Sequence, residues 1–138
     1  MYLSRLHISK FRVFDDITLY FKNGINILIG ENNSGKTAII DALRICLGCG
    51  KPDNFIYVQD GDLHVNPENP SEINTVIQFD LIFEFGDASI ERECFYDFIS
   101  QDKDNPDKQT IQLHLKFIQE NNGKKKYFKR IIWGGDNE

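Results

Sequence analysis

Gly30, Gly35, Lys36 and Thr37 set the chemistry of this chain, within the run Gly30-Glu31-Asn32-Asn33-Ser34-Gly35-Lys36-Thr37. They satisfy G-x-x-x-x-G-K-[ST] at every fixed position, a spacing suited to a nucleotide's phosphate chain. A triphosphate must be met by many backbone N–H groups at short range. Gly30 and Gly35 lack a Cβ, so the chain can curl and come close to the anion. The Lys36 ammonium is predicted to reach the β- and γ-phosphates, and the Thr37 hydroxyl to ligate Mg²⁺. Asn32, Asn33, Ser34 and Ala38 complete the expected nucleotide contacts, along the loop and at the start of the following helix. No residue is assigned a catalytic role.

A loop of this kind needs rigid elements on both sides. Ile25, Ile27, Leu28 and Ile29 form a short apolar run bounded by Asn23-Gly24 and Gly30. Its composition predicts a strand buried on both faces. After the loop, Ala38 to Leu47 reads as a helix, ended by Gly48 with Pro52 soon after. Its first N–H groups are unpaired and its dipole favours an anion. Apolar residues occupy nearly all its sides, and only Asp41 and Arg44 mark a wet stripe. The helix is therefore expected to pack between other elements.

With 138 residues the chain suits one domain with a real core, and 41% apolar and 27% charged residues are ordinary for a globular protein. No apolar run approaches membrane-spanning length. Met1-Tyr2-Leu3-Ser4 leads straight into a strand-like pattern, which does not resemble a signal peptide. Cytoplasmic residence and no membrane partner are the default expectations. Three cysteines are too few and odd in number for a disulfide framework. Cys46 and Cys49 make a C-x-x-C, but His7, His64 and His114 stand far from it, so it lacks a second pair of metal ligands. The net charge of −5 is uneven: residues 1–51 carry seven Lys/Arg against four Asp/Glu, and residues 52–123 carry four against fifteen. The loop lies in the basic part, while the acidic whole does not favour a free-standing nucleic-acid binder.

Leu3 to Phe11 reads as a first strand with Leu6 and Ile8 inward and Arg5, His7 and Ser9 outward. Ile17 to Phe21 is a second. Arg12 follows the first strand, and from spacing alone it is a surface arginine at a strand end. Asp53 to Ser71 is a polar connection, expected to be mobile on the surface with His64 solvated. Thr75 to Phe85 alternates strongly, with Phe79, Leu81, Phe83 and Phe85 on one face, as in an antiparallel strand with one wet side. Val76 to Asp80 can also be read as a second nucleotide motif ending in a magnesium-associated Asp, but Gln78 and the continuing alternation argue against it. A helix is expected from Asp87 or Ser89 to about Ser100, with Ile90, Cys94, Phe95, Phe98 and Ile99 on its core face. Thr110 to Gln119 and Lys124 to Trp133 form a hairpin around Asn121-Asn122-Gly123. The lysines at 124–126, with Lys129 and Arg130, read as a solvated hairpin tip.

The stretch LSRLHISKFRVFDDITLYFKNGINILIGENNSGKTAIIDALRICLG, residues 3–48, resembles the N-terminal half of the ABC-type ATPase heads of the SMC, RecF and OLD (overcoming lysogenization defect) class. The resemblance rests on the I-x-x-F-R strand ending, the G-I-N-x-L-I-G strand, the phosphate loop, and a helix with an Asp-Ala pair. It implies an α/β fold of α+β character: a P-loop NTPase lobe with a mixed sheet, a buried phosphate-loop helix and an antiparallel hairpin. It implies ATP and Mg²⁺ as ligands. The arginine after the first strand approaches the phosphates in that class, so the resemblance adds Arg12 to the ATP-binding set.

After residue 71 the order of elements resembles OLD-family ATP-dependent nucleases and Gabija-type defence ATPases, because a helix precedes the hairpin. The resemblance implies the N-terminal segment of one ATPase domain, residues 1–138. It divides into a loop unit (1–50), a surface connection (51–72) and antiparallel strands with one helix (73–133). The class's Walker B carboxylates, signature sequence, Q-loop and Toprim nuclease domain have no convincing counterpart here. The expected function is the ATP-binding segment of an OLD-like DNA endonuclease of antiphage defence, acting as a head-to-head dimer or higher oligomer. DNA and a helicase-like or other defence protein are its implied partners. The alternatives are the same segment of a RecF- or SMC-like repair ATPase, and a non-catalytic assembly or regulatory module.

Overall fold

Period-two alternation of apolar and polar residues dominates the chain, and a single sheet results. The computed structural model describes residues 1–48, 56–86, 89–101, 108–123 and 125–135, the side chains of residues 89–91 excepted. The strands are β1 (Tyr2–Phe11), β2 (Phe14–Tyr20), β3 (Val76–Glu84), β4 (Ile99–Gln101), β5 (Gln109–Asn121) and β6 (Lys126–Gly134). The helices are α1 (Lys36–Leu47) and the short α2 (Ser89–Cys94), with 3₁₀ turns at Asp60–Asp62 and Tyr96–Phe98.

The sheet order is β2-β1-β3-β5-β4, with β6 also paired to β5. One edge of β5 faces β3 from Thr110 to Ile118. The other edge is shared end to end, by β4 opposite Gln109 to Ile111 and by β6 opposite Leu113 to Asn121. Every strand pair among the described residues is antiparallel, where a mixed sheet was expected.

Leu6, Ile8 and Phe11 of β1, Ile77, Phe79 and Leu81 of β3, and Leu115 and Phe117 of β5 line one face. Ala38, Ile39, Ala42, Ile45 and Cys46 of α1 close over them. Phe79 sits at the centre, its ring edge-on to Phe11 at 5.1 Å and to Phe117 at 6.1 Å, a geometry that aromatic quadrupoles favour.

The structure corrects four expectations. Residues 25–29 form no strand and are not buried: Ile25, Ile27 and Ile29 are 93%, 76% and 91% exposed. A strand buried on both faces needs covering elements on each side, and no described residue supplies them. For the same reason α1 is covered on one face only, leaving Ile40 and Leu47 exposed. The connection after α1 is partly docked, because Val58, Asp62 and His64 are buried. The helix expected to reach Ser100 stops at Cys94, and a 3₁₀ turn and β4 take its place. Phe95 and Phe98 are exposed there, since pairing with β5 satisfies the backbone from Ile99 onward. The start of that helix at Asp87, the second cysteine at Cys49 and the lysine at Lys124 lie outside the described residues.

Candidate functional site

The tip of the β1–β2 hairpin carries the loop. Gly35 precedes α1 with φ +92°, a left-handed conformation that glycine adopts at low cost. A Cβ there would lie 2.3 Å from Phe14 Cζ and 2.9 Å from Val13 Cγ2, so the loop backbone is seated directly on the hairpin. Gly30 is needed for closeness: a Cβ would stand 2.6 Å from Ser34 Oγ. Asn33 supplies a further left-handed turn at φ +69°, a conformation asparagine tolerates better than most residues. The chain thus curls into α1, whose N-terminus has no side-chain cap and no acidic residue in its first turn. That end keeps its unpaired N–H groups and its positive dipole for an anion.

Lys36 lies inside the curl. Its ammonium donates to Gly30 O and Glu31 O at 2.5 Å each, with Ser34 Oγ at 3.4 Å. These acceptors carry no formal charge, so the full negative charge of a phosphate oxygen would compete with them for the ammonium. Arg12, Val13, Asn32, Asn33, Gly35, Lys36, Thr37 and Ala38 line one cavity of about 260 Å³ beside the loop. That is less than the roughly 300 Å³ at which pockets begin to enclose whole small ligands, so the cavity matches a phosphate tail rather than an entire nucleotide. Of the residues assigned to the phosphates by sequence, all but Gly30 and Ser34 line it, and those two shape the curl behind Lys36. Thr37 is exposed at the mouth of the loop.

Arg12 is no loose surface arginine. Its Nε donates to Asp62 Oδ1 at 2.7 Å, its Nη1 donates to Asp41 Oδ2 at 2.6 Å, and its guanidinium lies 4.9 Å from the Phe11 ring centroid. Its backbone is left-handed at φ +51°, a strained state for a non-glycine residue. Surrounding bonds impose it: Arg12 N donates to Asp62 O at 2.8 Å, and Arg12 O is 2.8 Å from His64 Nδ1. Burial alone would push the Arg12 pKa down, but the hydrogen bonds to Asp62 and Asp41 outweigh it and hold the group above its ordinary value.

Sequence reasoning missed the supports of this site. Asp41 was read as part of a wet stripe, Asp62 only as part of the polar connection 53–71 and His64 as solvated, while Val13 and Phe14 under Gly35 were given no role. One signal was available, since Asp41 stands four residues after Thr37 and so shares its helix face.

A second polar cluster lies on the opposite face of the sheet. Asp80 accepts from His7 Nδ1 at 2.7 Å, from His114 Nδ1 at 2.5 Å and from Gln78 Nε2 at 3.0 Å. Burial would raise the Asp80 pKa, but these donors hold its carboxyl far below the usual range. Asp80 is thus committed across β1, β3 and β5 on the face away from α1, which agrees with rejecting Val76 to Asp80 as a second nucleotide motif. No group of three or more metal-ligating side chains is found among the described residues. No helix among them is long and apolar enough to cross a membrane.

Comparison with known proteins decides the family. A profile described as AAA domain (AAA_23) matches residues 5–137. The chain belongs to this AAA-domain family. It is 42% identical over 45 residues to the DNA replication and repair protein RecF of Limosilactobacillus reuteri, covering 33% of this chain and 12% of that protein. It is 40% identical over 47 residues to the DNA double-strand break repair Rad50 ATPase of Thermoplasma volcanium, covering 34% of this chain and 5% of that protein. The chain therefore matches only a small part of the length of these relatives.

A solved structure from work on ATP-driven dimerization and DNA-stimulated activation of SMC ATPases superposes with a TM-score of 0.62 at 16% identity. It covers 97% of this chain and 69% of that one. The fold is that of the N-terminal lobe of a P-loop ABC-type ATPase head.

Proposed function

We propose that this chain is the ATP-binding segment of a DNA-repair type ATPase of the RecF, Rad50 and SMC kind. One observation carries the reading: a glycine loop curled around Lys36, at an uncapped helix N-terminus, opens into a cavity sized for a phosphate tail. The relatives' names supply the DNA-repair context.

In this proposal the loop amides and the start of α1 hold the phosphates, Lys36 meets the β- and γ-oxygens, and Thr37 offers its hydroxyl to Mg²⁺. ATP with Mg²⁺ would supply a hydrolysable phosphoanhydride. Gly30, Asn32, Asn33, Ser34, Gly35 and Ala38 shape and line the cradle, and Arg12 flanks it. The cavity takes only the tail, which supports a site completed by a second head in a dimer, with DNA as the partner of the assembly. The segment is proposed as one unit, residues 1–138, of a larger ATPase domain.

The OLD-like nuclease is a second reading. It rests on α2 and its 3₁₀ turn, which stand between β3 and the β5–β6 hairpin. A non-catalytic module is what remains if the loop does not bind nucleotide.

The test is Lys36→Ala in the full natural chain. Loss of the ammonium should weaken Mg·ATP binding by about two orders of magnitude, as expected when a desolvated charge-assisted contact is removed. Equal ATP affinity for variant and wild type in a calorimetric titration would refute the ATP-binding reading.

A further inference from the structure

Arg12 is held at more points than a surface arginine needs. Asp62 takes its Nε and Asp41 its Nη1, while Phe11 lies 4.9 Å from its guanidinium. Each anchor is itself fixed. Asp62 Oδ2 accepts the Gln59 N–H at 2.9 Å, and Asp62 N donates back to Gln59 O at 2.9 Å. Phe11 bridges Leu63, and His64 N donates to Lys10 O at 3.1 Å. The segment from Gln59 to His64 is therefore latched to the end of β1. Asp41 rides on α1, one turn beyond Thr37. The two carboxylates thus tie three separate parts of the chain, the β1 end, the 59–64 turn and α1, to the guanidinium of a residue that also lines the loop cavity.

Asp41 also meets Arg44 Nη1 at 3.5 Å, so two guanidinium groups and two carboxylates balance, and this arrangement does not concentrate positive charge at the cavity. Its physical effect is to fix position. A guanidinium has five donors in a planar fork, and two of them are spent on the anchors. Backbone strain at φ +51° is maintained in the same place, as happens where surrounding structure over-determines a working residue. An unanchored arginine would have to lose its rotamer freedom on meeting a ligand.

We infer that Asp41 and Asp62 are positioning residues that preset Arg12 as a rigid donor to the terminal phosphate of the bound nucleotide. The inference rests on the ATP-binding reading above. Neither aspartate lines the cavity, and both act through Arg12.

The experiment compares ATP and ADP affinities, by displacement of a fluorescent nucleotide, for the full natural chain and four variants: Arg12→Ala, Asp62→Ala, Asp41→Asn and Arg12→Ala/Asp62→Ala. The preference for ATP over ADP should fall by at least about tenfold in Arg12→Ala, the scale of one charge-assisted bond, and by about three- to tenfold in Asp41→Asn and Asp62→Ala, where the guanidinium is kept but no longer held in place. The double variant should be no worse than Arg12→Ala, because Asp62 has nothing left to position. A merely structural aspartate would lower thermal stability and both affinities together without changing their ratio. An unchanged ATP/ADP ratio in Asp41→Asn and Asp62→Ala, or a tighter grip on ATP, overturns the inference. Asp41→Asn, on the better-formed helix, decides the matter if Asp62→Ala does not fold. Should Lys36→Ala also bind ATP normally, the site reading itself has failed; if only the aspartate variants are silent, the positioning role alone is lost.

Discussion

Two apolar runs of this chain meet opposite fates. Val76 to Glu84 becomes β3, the central strand, with Ile77, Phe79 and Leu81 completely buried. Ile25 to Ile29 stays irregular and exposed. By composition the second run is the more hydrophobic. What separates them is the kind of neighbour each requires. β3 alternates, so one face meets α1 and the other carries the half-buried polar cluster around Asp80, and antiparallel strands on both its edges come from β1 and β5 of the same chain. The run at 25–29 is apolar at every position but Asn26, so it asks for cover on both faces. A hydrophobic pattern thus records a demand for burial, while the surroundings determine whether the demand is met.

The contrast is most open to attack at Phe79. Replacing it with Ala removes a ring packed against Phe11 and Phe117 and should destabilise the chain by about 3–5 kcal/mol, the range for large core truncations. Urea unfolding measures it. A cost under about 1 kcal/mol would show that β3 is no more committed to the core than the 25–29 run.

The other face of β3 sharpens the comparison through pH. His7 is held above its ordinary value of 6.5, chiefly by its hydrogen bond to Asp80 and against the opposing effect of burial. A raised pKa in the folded state means that folding binds the proton more tightly. That contribution is complete below about pH 6.5 and fades as pH climbs through the raised value. Asp80 behaves in the opposite sense: its contribution is complete above its ordinary 3.8 and is lost only as pH falls toward its depressed value. The network across β1, β3 and β5 is therefore strongest between about pH 4 and 6.5. Wild type should lose stability from pH 6.5 upward, and His7→Gln should flatten that slope, as read from denaturation midpoints across the range. Identical slopes would remove His7 from the account.

The antiparallel half of the fold was legible because strands such as β1, β3 and β5 announce their faces residue by residue. The loop was legible because its glycines, lysine and threonine are dictated by backbone geometry and charge. The supports were not. Asp62 and His64 look solvated in a polar connection, and only the tertiary bonds to Arg12 explain their burial. The helix expected through Ser100 failed because its apolar spacing from Phe95 to Ile99 competes with pairing of Ile99–Gln101 to the edge of β5. A local period cannot reveal a partner that lies ten residues further along the chain.

The smallest expected effect is the most discriminating. Ile27 is 76% exposed, so Ile27→Asp in this 138-residue chain removes almost no packing and should change stability by no more than about 0.5 kcal/mol. The same substitution in a context where both faces of the run are covered would bury an unpaired carboxylate, which costs several kcal/mol. The difference between the two measurements would quantify the unmet demand of residues 25–29 directly. A large loss already in the 138-residue chain would mean that the run is packed here, and that the contrast with β3 is one of degree. A negligible change in both contexts would mean that the run is never covered, and that its composition serves the loop it precedes rather than a core.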